Sequence, residues 1–355
     1  MAEKKKQHYV PKFYLRFFSS RDNPNLIKVC IKDSVKIIPN ADLNGQAQEK
    51  YFYGKDLERE NWFGNIEDKT SNVLKKVVKT KQLPKDKSDD YYWIWLFMLL
   101  QAYRTRANAD EFNEMVDSSL KTAMKFEKKF EDFEFDNYSF AHDDAIEISL
   151  DILLKSLPML LDMQIKLLKN DTNKELITSD NPISKYNQFL ESRKFPYGHT
   201  GIMSKGLQIF YPLSPDLLLT MYDPRVYKVG NKKQFSNILM NAKDIEFLNI
   251  LTCLHSNKSV FSSEKVSDFQ LEQILEKSKK YQDQKELKTK NHDSITNKDG
   301  THSVTVQHHR NPFMINLNLS FLKQTQHAKS YKLTGYYAEI RNERYRNAEN
   351  RPTLE

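Results

Sequence analysis

Apolar residues recur at helical spacing over long stretches of the chain. The segment 56–79 is predicted to be a helix because its large apolar residues fall on one face: Trp62, Ile66, Val73 and Val77. The run Trp93–Leu100 is apolar on all sides, which indicates burial. It predicts a buried helix from about Asp90 to beyond Ala109.

Further helical patterns follow along the chain. A charged helix is expected over Asp110–Phe133, and another long helical segment over Asp143–Lys169 with a kink or a break at Pro158. Near the middle of the second half, Asp244–His255 is predicted to be a helix, and Glu264–Gln284 a strongly charged one. Helices therefore account for most of the predicted regular structure.

Shorter runs of strand-forming residues lie between the helices. Leu26–Ile38 contains two such runs around Lys32-Asp33, which predicts a hairpin. Glu175–Ser179 resembles a short strand. Gln208–Pro212 and Leu217–Met221 predict two strands joined by a turn at Ser214-Pro215-Asp216. We expect an α+β fold with a mainly helical core, short strands and hairpins, and a small strand-rich appendage at the C-terminus.

A change of composition near the C-terminus predicts the domain organisation. The segment 285–300 is polar and has no large apolar residue after Leu287 except one isoleucine, so we expect a linker or a long loop. We expect a main α+β domain over 1–284, the appendage over 301–345, and a frayed tail over 346–355.

Composition and charge exclude several classes of protein. The chain has 355 residues, with 55 Lys+Arg and 47 Asp+Glu, and its formal net charge is +8. This modest excess allows nucleic-acid binding without requiring it. The 21 Phe, 18 Tyr and 3 Trp residues exclude an acidic disordered tail protein, because so many aromatic side chains are too costly to leave in water. The 2 cysteines exclude a disulfide scaffold and are expected to be free thiols in a reducing cytoplasm.

The apolar runs are too short for a membrane protein. The longest, Trp93–Leu100, has 8 residues, whereas a spanning helix needs about 20. The first residues, Met1–His8, are basic without an apolar stretch behind them, so no secretory signal is expected. We therefore expect a cytoplasmic protein with no membrane partner.

Sequence motifs for the best-known metal, nucleotide and hydrolase sites are missing. The sequence has no Cys-x-x-Cys, no His-Glu-x-x-His and no EF-hand loop. It also lacks a phosphate-binding Gly-Lys-Ser/Thr loop, a Gly-x-Gly-x-x-Gly motif and a Gly-x-Ser-x-Gly elbow. Any chemistry must come from polar residues set within apolar segments.

Two such groups lie in the first seventy residues. Gln7 and His8 open an apolar segment, where His8 is either a buried hydrogen-bonding group or a general acid/base. Glu60 and Glu67 are two helical turns apart on one face. They could hold Mg²⁺ or accept a proton, or they could be solvent-exposed acids beside basic residues.

Two more groups follow the buried helix and a predicted strand. Gln101 and Arg104 point the same way at a helix end, and Arg104 suits a phosphate or carboxylate. The alternative is a structural Arg–Glu pair. Asp180 and Asn181 follow a strand, where Asp180 could bind a metal or act as a base, although Asx residues before a proline also mark an ordinary turn.

Five motifs occur in an order that is known from a protein family. They are Gln7-His8-Tyr9-Val10-Pro11 with Phe13-Tyr14-Leu15, Glu60 with Ile66-Glu67, Gln101-x-x-Arg104-Thr105, Ile177–Pro182, and Pro212–Pro215. Over about residues 7–265 the chain resembles the family called domain of unknown function 4238 (DUF 4238). The resemblance implies a bacterial-type cytoplasmic protein whose polar motifs share one site, and it implies no particular reaction.

The first functional hypothesis is a hydrolase of phosphodiester bonds, above all a nuclease that could serve in bacterial anti-phage defence. Its predicted catalytic residues are His8, Glu67, Arg104 and Asp180, and its predicted substrate-binding residues are Gln7, Gln101 and Asn181. Glu67 and Asp180 would bind Mg²⁺ or Mn²⁺ or activate water. The substrate would be a nucleic acid or a nucleotide.

Two other hypotheses stay open. The chain could be a non-enzymatic binding module that senses a nucleotide or another anion through His8 and Arg104, or that binds a partner protein through its C-terminal appendage. It could also be a structural protein whose polar motifs only tie the core together. The residues predict no oligomeric state.

Overall fold

The computed structural model describes residues 5–55, 57–125, 130–231, 233–281, 287–296, 302–310 and 313–345. The helices within these ranges are, in chain order, α1 (Lys12–Leu15), α2 (Glu58–Thr80), α3 (Asp89–Tyr103), α4 (Arg106–Met124), α5 (Ala145–Ser156), α6 (Gln188–Glu191), α7 (Ala242–His255), α8 (Asp268–Lys279) and α9 (Gln326–Ser330). None of the helices within these ranges is long and apolar enough to cross a lipid bilayer.

The strands come from all parts of the described chain. They are β1 (Lys6–His8), β2 (Leu26–Ile31), β3 (Lys36–Asp42), β4 (Gln48–Lys50), β5 (Gln164–Asn170), β6 (Thr178–Ser179), β7 (Ser184–Tyr186), β8 (Gln208–Ser214), β9 (Leu217–Tyr222), β10 (Tyr227–Val229), β11 (Ile238–Met240), β12 (Ser259–Ser262), β13 (Leu287–Thr296), β14 (His302–Arg310) and β15 (Leu322–Gln324). They form a five-stranded sheet in the order β11-β5-β9-β8-β7, a four-stranded sheet in the order β3-β2-β12-β6, and the pairs β1-β4, β10-β15 and β13-β14.

The five-stranded sheet separates two apolar cores. Successive side chains of a strand point to opposite faces, and in β9 this sorts the residues between the cores. Leu217, Leu219 and Met221 belong to the first core, whereas Leu218 and Tyr222 belong to the second. Every residue of β8 and β9 is buried. The middle of the sheet is therefore covered on both faces.

Different elements cover the two faces. On the first face lie α2, α3 and α5, which contribute apolar side chains such as Leu74, Phe97 and Leu150. On the second face lie α7 and the segment 313–322, which contributes Ile315, Leu317, Leu319, Phe321 and Leu322. The burial of large aliphatic side chains on both faces supplies the main stabilisation, at about 25 cal/mol per Å² of apolar surface.

The prediction of a mainly helical core is wrong, because the five-stranded sheet contributes side chains to both cores. The fold is a mixed α+β arrangement with several sheets. The error lies in Asp143–Lys169, which was expected to be helical on both sides of a kink or break at Pro158. In the structure α5 ends at Ser156, Pro158 lies in a 3₁₀ turn, and β5 follows at Gln164–Asn170. A strand buried on both faces has no polar alternation, so its sequence is ambiguous.

Other predicted elements are confirmed. The hairpin of Leu26–Ile38 is β2 paired antiparallel with β3, and β8 pairs with β9 around the predicted turn. The helix predicted over 56–79 is α2, within two residues at each end. The buried helix from Asp90 does not run beyond Ala109, however, because the chain breaks at Arg104-Thr105 and the Thr105 hydroxyl caps the start of α4.

The C-terminal segment 313–345 packs against residues that precede it. The Asp244 carboxylate accepts hydrogen bonds from the backbone N–H and the hydroxyl of Ser320, and β15 pairs with β10. Within the predicted linker 285–300, residues 287–296 form strand β13. The predicted division into a main domain and an appendage stays a prediction, and the predicted tail 346–355 lies outside the described residues.

The side chain of Arg341 binds the segment 313–345 to residues between Met159 and Ser204. It is 2% exposed, and its Nε donates to both carboxylate oxygens of Asp162 at 2.9 and 3.0 Å. Its Nη atoms donate to three backbone carbonyls: those of Met159, Ile202 and Ser204. A buried guanidinium with several partners is costly to remove, because each partner is left unsatisfied.

We predict that Arg341→Met lowers the free energy of unfolding by about 3 kcal/mol, because it leaves one carboxylate and three carbonyl groups without their hydrogen-bond donor. Urea denaturation followed by circular dichroism measures this loss. Arg344→Met, at an exposed position three residues on, is the matched control and should change the free energy by no more than about 0.5 kcal/mol. Equal losses in the two variants would contradict the anchoring role of Arg341.

Candidate functional site

Arg104 lies at the break between α3 and α4 with its guanidinium buried. Its side chain is 2% exposed. Nε donates to the hydroxyl of Tyr53 at 2.9 Å, Nη1 to Oε1 of Glu67 at 2.7 Å, and Nη2 to the carbonyl oxygen of His8 at 2.8 Å. We call these four residues the Arg104 cluster. The guanidinium carbon also lies 4.0 Å from the ring centroid of Phe63, which is a cation–π contact.

The local electrostatics keep Arg104 charged. Burial alone would lower the pKa of its guanidinium, but Tyr53 and Glu67 raise that pKa above its ordinary value. Burial likewise raises the pKa of the Tyr53 hydroxyl, which stays protonated. One Glu67 oxygen accepts from Arg104, and the Glu67 side chain is 25% exposed. The structure thus contains the Arg–Glu pair that was one of the alternatives for Arg104.

His8 contributes its backbone carbonyl to this cluster, and its half-buried imidazole is neutral near pH 7. Burial, together with the positive charges of Lys12 and Arg104, lowers the pKa of its imidazole from 6.5 to about 4, although a backbone hydrogen bond with Asn44 acts in the opposite direction. Its Nε2 atom is buried and has no hydrogen-bond partner among the residues that the structure describes. A neutral imidazole with such a low pKa is a weak general base and is not a proton donor at pH 7.

Gln7 and Gln101 hold the N-terminal segment in place. Both side chains are fully buried. The Gln7 amide donates to the carbonyl oxygen of Gly54 at 2.9 Å and accepts from the backbone N–H of Tyr53 at 2.6 Å. The Gln101 amide donates to the carbonyl oxygen of Tyr9 at 2.9 Å, and its own Oε1 is buried with no partner in the described part of the chain. Neither glutamine is within reach of solvent.

Asp180 and Asn181 bind the turn that follows α7. The buried Asp180 carboxylate accepts three backbone N–H groups, from Asn257, Lys258 and Ser259, at 2.7 to 2.9 Å. Burial raises the pKa of Asp180 even though these donors act to lower it. The Asn181 amide accepts from the Thr105 hydroxyl at 3.0 Å and donates to the carbonyl oxygen of His255 at 2.8 Å.

The predicted site residues therefore form two connected groups. Glu67, Arg104 and the His8 backbone meet directly, and Thr105 links Arg104 along the chain to Asn181 and Asp180. Within the described ranges, no group of three or more His, Cys, Asp or Glu side chains is arranged to hold a metal ion. The catalytic, substrate-binding and metal-binding roles of these residues stay predictions.

A large aromatic cleft lies elsewhere, and sequence reasoning missed it. Its volume is about 740 Å³. We call it the aromatic cleft and define it by its aromatic and polar walls: Tyr91, Tyr92 and Trp95 at the start of α3, Gln164 on β5, Tyr222 on β9, and Lys87 and Lys228. The sequence carries no signal for it, because nothing in the adjacent pair Tyr91-Tyr92 distinguishes the exposed ring of Tyr92 from the buried ring of Tyr91.

Hydrogen bonds within the walls fix the shape of the aromatic cleft. The Tyr91 hydroxyl accepts from the backbone N–H of Ile165 at 3.0 Å. The Tyr222 hydroxyl donates to Oε1 of Gln164 at 2.8 Å, which orients the amide. The NH₂ group of Gln164 then donates to no residue within the described part of the chain. The cleft combines aromatic faces with an oriented pair of hydrogen-bond donors.

We predict that His8→Asn reduces the dependence of stability on pH between 6.5 and 4. The unfolded chain binds a proton at His8 near pH 6.5, whereas the folded chain binds it only near pH 4. Protonation of the unfolded state therefore lowers the free energy of unfolding as the pH falls through this window. Urea titrations at intervals of half a pH unit measure the difference between wild type and variant.

The exposed His142, changed to Asn, controls for the loss of a histidine as such. The free energy of unfolding of the wild type minus that of His8→Asn should decrease steadily as the pH is lowered from 6.5 to 4, because only the wild type loses stability through His8. A difference that is constant over this range would show that His8 has the same proton affinity in the folded and unfolded states. That outcome would remove the basis for a neutral His8.

The comparisons with known proteins give a family and no activity. No curated protein matches the chain, and no solved structure matches it. Residues 6–266 match the family described as Protein of unknown function (DUF4238), which confirms the resemblance stated from the motifs. The match includes the Arg104 cluster, Asp180 and every aromatic wall of the cleft. With most of its length matched, the chain belongs to the DUF4238 family.

Proposed function

We propose that the protein is a non-enzymatic binding module that takes a nucleotide into the aromatic cleft. The observation that carries this proposal is the Gln164 amide, whose oxygen is bound by Tyr222 and whose two N–H donors, between aromatic walls, have no partner in the described ranges. Such donors pair with the carbonyl oxygens and ring nitrogens of a base edge. The cytoplasmic location predicted from the two cysteines, which are both buried free thiols, is part of the proposal.

The size and lining of the aromatic cleft suit a base and its sugar. Ligand sites for small molecules have volumes of about 300–1,000 Å³, and the cleft falls in this range at about 740 Å³. Tyr92 is 42% exposed and offers a ring face at the entrance. Stacking of one base on an aromatic side chain contributes about 1–3 kcal/mol and tolerates every base, since each has a π face.

Charge at the entrance suits the phosphate groups. Lys87 and Lys228 are exposed, line the cleft, and have no partner within the described part of the chain. Two acids also line it, but the Asp162 carboxylate is bound by Arg341. Asp86 is the acid that faces these lysines. The balance at the entrance is therefore positive, which favours an anion over a neutral nucleoside.

Phosphodiester hydrolysis is the second candidate function, and the meeting of Glu67, Arg104 and His8 favours it. Arg104 uses its guanidinium on three protein partners, so it would have to exchange one of them for a phosphate oxygen. Glu67 is half-buried and could give one oxygen to Mg²⁺ or Mn²⁺. In the cell, such a hydrolase would be a nuclease that serves in bacterial anti-phage defence.

We predict that nucleotides raise the melting temperature of the protein and that Tyr92→Ala weakens their binding about tenfold, through the loss of one stacking face. Gln164→Leu should weaken binding by a similar factor and also reduce the preference among bases. Isothermal titration with AMP, GMP, CMP and UMP, and with ribose 5-phosphate, measures both effects. Phe269→Ala removes an even more exposed aromatic ring from α8, outside the cleft, and should leave binding unchanged.

Equal affinity of the wild type and Tyr92→Ala for every nucleotide would contradict the binding proposal. Recovery of intact nucleotide after incubation is expected. The hydrolase candidate replaces the binding proposal if DNA or RNA is cleaved with Mg²⁺ or Mn²⁺ and if His8→Ala and Glu67→Gln abolish that cleavage. Both variants must keep the wild-type melting temperature for this conclusion to hold. Nucleic acids that stay intact with either metal would remove that candidate.

A further inference from the structure

A second groove lies beside the aromatic cleft. Its volume is about 500 Å³, and it runs between residues 82–86 and 233–236. Asp86 lines both cavities. The groove and the cleft also share a wall, because the buried Lys166 of the cleft donates to the carbonyl oxygen of Gln234 and lies 4.3 Å from the ring centroid of Phe235. The two cavities are neighbours on one surface of the molecule.

Basic side chains follow this path from one cavity to the next. Lys87 and Lys228 line the cleft, and Lys85 and Lys233 line the groove. All four are exposed, and none has a partner within the ranges that the structure describes. Along the groove the acid facing them is again Asp86. A row of unpaired lysines beside an aromatic cavity has the charge and the chemistry that a phosphate backbone requires.

We infer that the ligand of this surface is a segment of single-stranded nucleic acid and not a free nucleotide. One base lies in the aromatic cleft against Tyr92, and the adjoining sugar-phosphate chain passes Asp86 into the groove between Lys85 and Lys233. The inference rests on the proposed function, because it places the proposed nucleotide within a longer chain. The cleft alone would accept a base from a free nucleotide or from a strand, and the groove beside it favours the strand.

The walls of the cleft favour a single strand over a duplex. A base inside a double helix is stacked on its neighbours and shows no free face to Tyr92. Its hydrogen-bonding edge is paired as well, so the Gln164 amide would have no group to bind. A single strand has both the faces and the edges available, and its backbone can follow two cavities in succession.

Fluorescence anisotropy with labelled oligonucleotides of one to eight nucleotides tests this inference. Affinity should rise by a factor of about ten or more between one nucleotide and four, and a duplex of the same sequence should bind much more weakly. The double variant Lys85→Ala/Lys233→Ala should weaken binding of the longer oligonucleotides roughly tenfold and leave the affinity for a mononucleotide unchanged. Losing two phosphate contacts should also reduce the slope of log K against log salt by about 1.4.

The control is Lys279→Ala/Lys280→Ala, at the end of α8, which removes the same charge from residues lining neither cavity. It should keep the wild-type affinity and salt slope. Mononucleotide and oligonucleotide affinities that are equal, with no effect of Lys85→Ala/Lys233→Ala, would overturn the inference while the proposed nucleotide site survives. Binding of neither ligand would overturn both.

Competition identifies the remaining possibilities. A duplex that binds as tightly as the single strand, or a polyglutamate peptide that displaces the oligonucleotide at equal concentration, would show that the surface recognises charge alone, and would overturn the inference. Loss of oligonucleotide binding in Tyr92→Ala and in Lys85→Ala/Lys233→Ala, but not in the α8 control, would establish that cleft and groove act on one strand.

Discussion

The burial of one guanidinium constrains how the first half of the chain is assembled. A buried charge is tolerated only when its donors are bound, because the cost of leaving them unsatisfied exceeds what a single hydrogen bond returns. Arg104 meets this condition with Tyr53, Glu67 and the His8 carbonyl, which come from three separate segments. The strand β1, the loop before α2 and α2 itself must all be in place before Arg104 is stable inside the protein. The break between α3 and α4 is the point where these segments meet.

The difference between what the sequence predicted and what it missed has a physical origin. The helix α2 has one apolar face and one charged face, and β8 and β9 flank a proline turn, so local pattern was sufficient for both. β5 is buried on both sides, with Ile165, Leu167 and Leu168 all inside, and such a run carries no period that distinguishes a strand from a helix. The predicted mainly helical core rested on several helices, and this ambiguity assigned a central strand of the sheet to one of them.

The same reasoning applies to the candidate site. A structural Arg–Glu pair was one of the alternatives for Arg104, and the structure shows that its glutamate is Glu67. The partners of Asp180 are three backbone amides, which have no signature in a sequence. The aromatic cleft was beyond reach because its walls, Tyr92 and Tyr222, lie far apart along the chain and meet only through the sheet. The polar residues in apolar segments proved to be buried residues that hydrogen-bond separate segments of the chain to one another. The accessible cavity, the aromatic cleft, is lined by other residues.

The division of the molecule by its central sheet has a consequence for synthesis. The first core draws on residues from Val10 to Phe261, whereas the second is completed by Ile315, Leu317, Leu319 and Phe321. On the ribosome, the first face of the sheet can close while the opposite face, with Leu218 and Tyr222, has α7 but still lacks the part of its cover that the segment 313–322 supplies. A nascent chain of this protein therefore exposes apolar surface on this face until residues 313–322 have emerged, which is the kind of surface that chaperones bind.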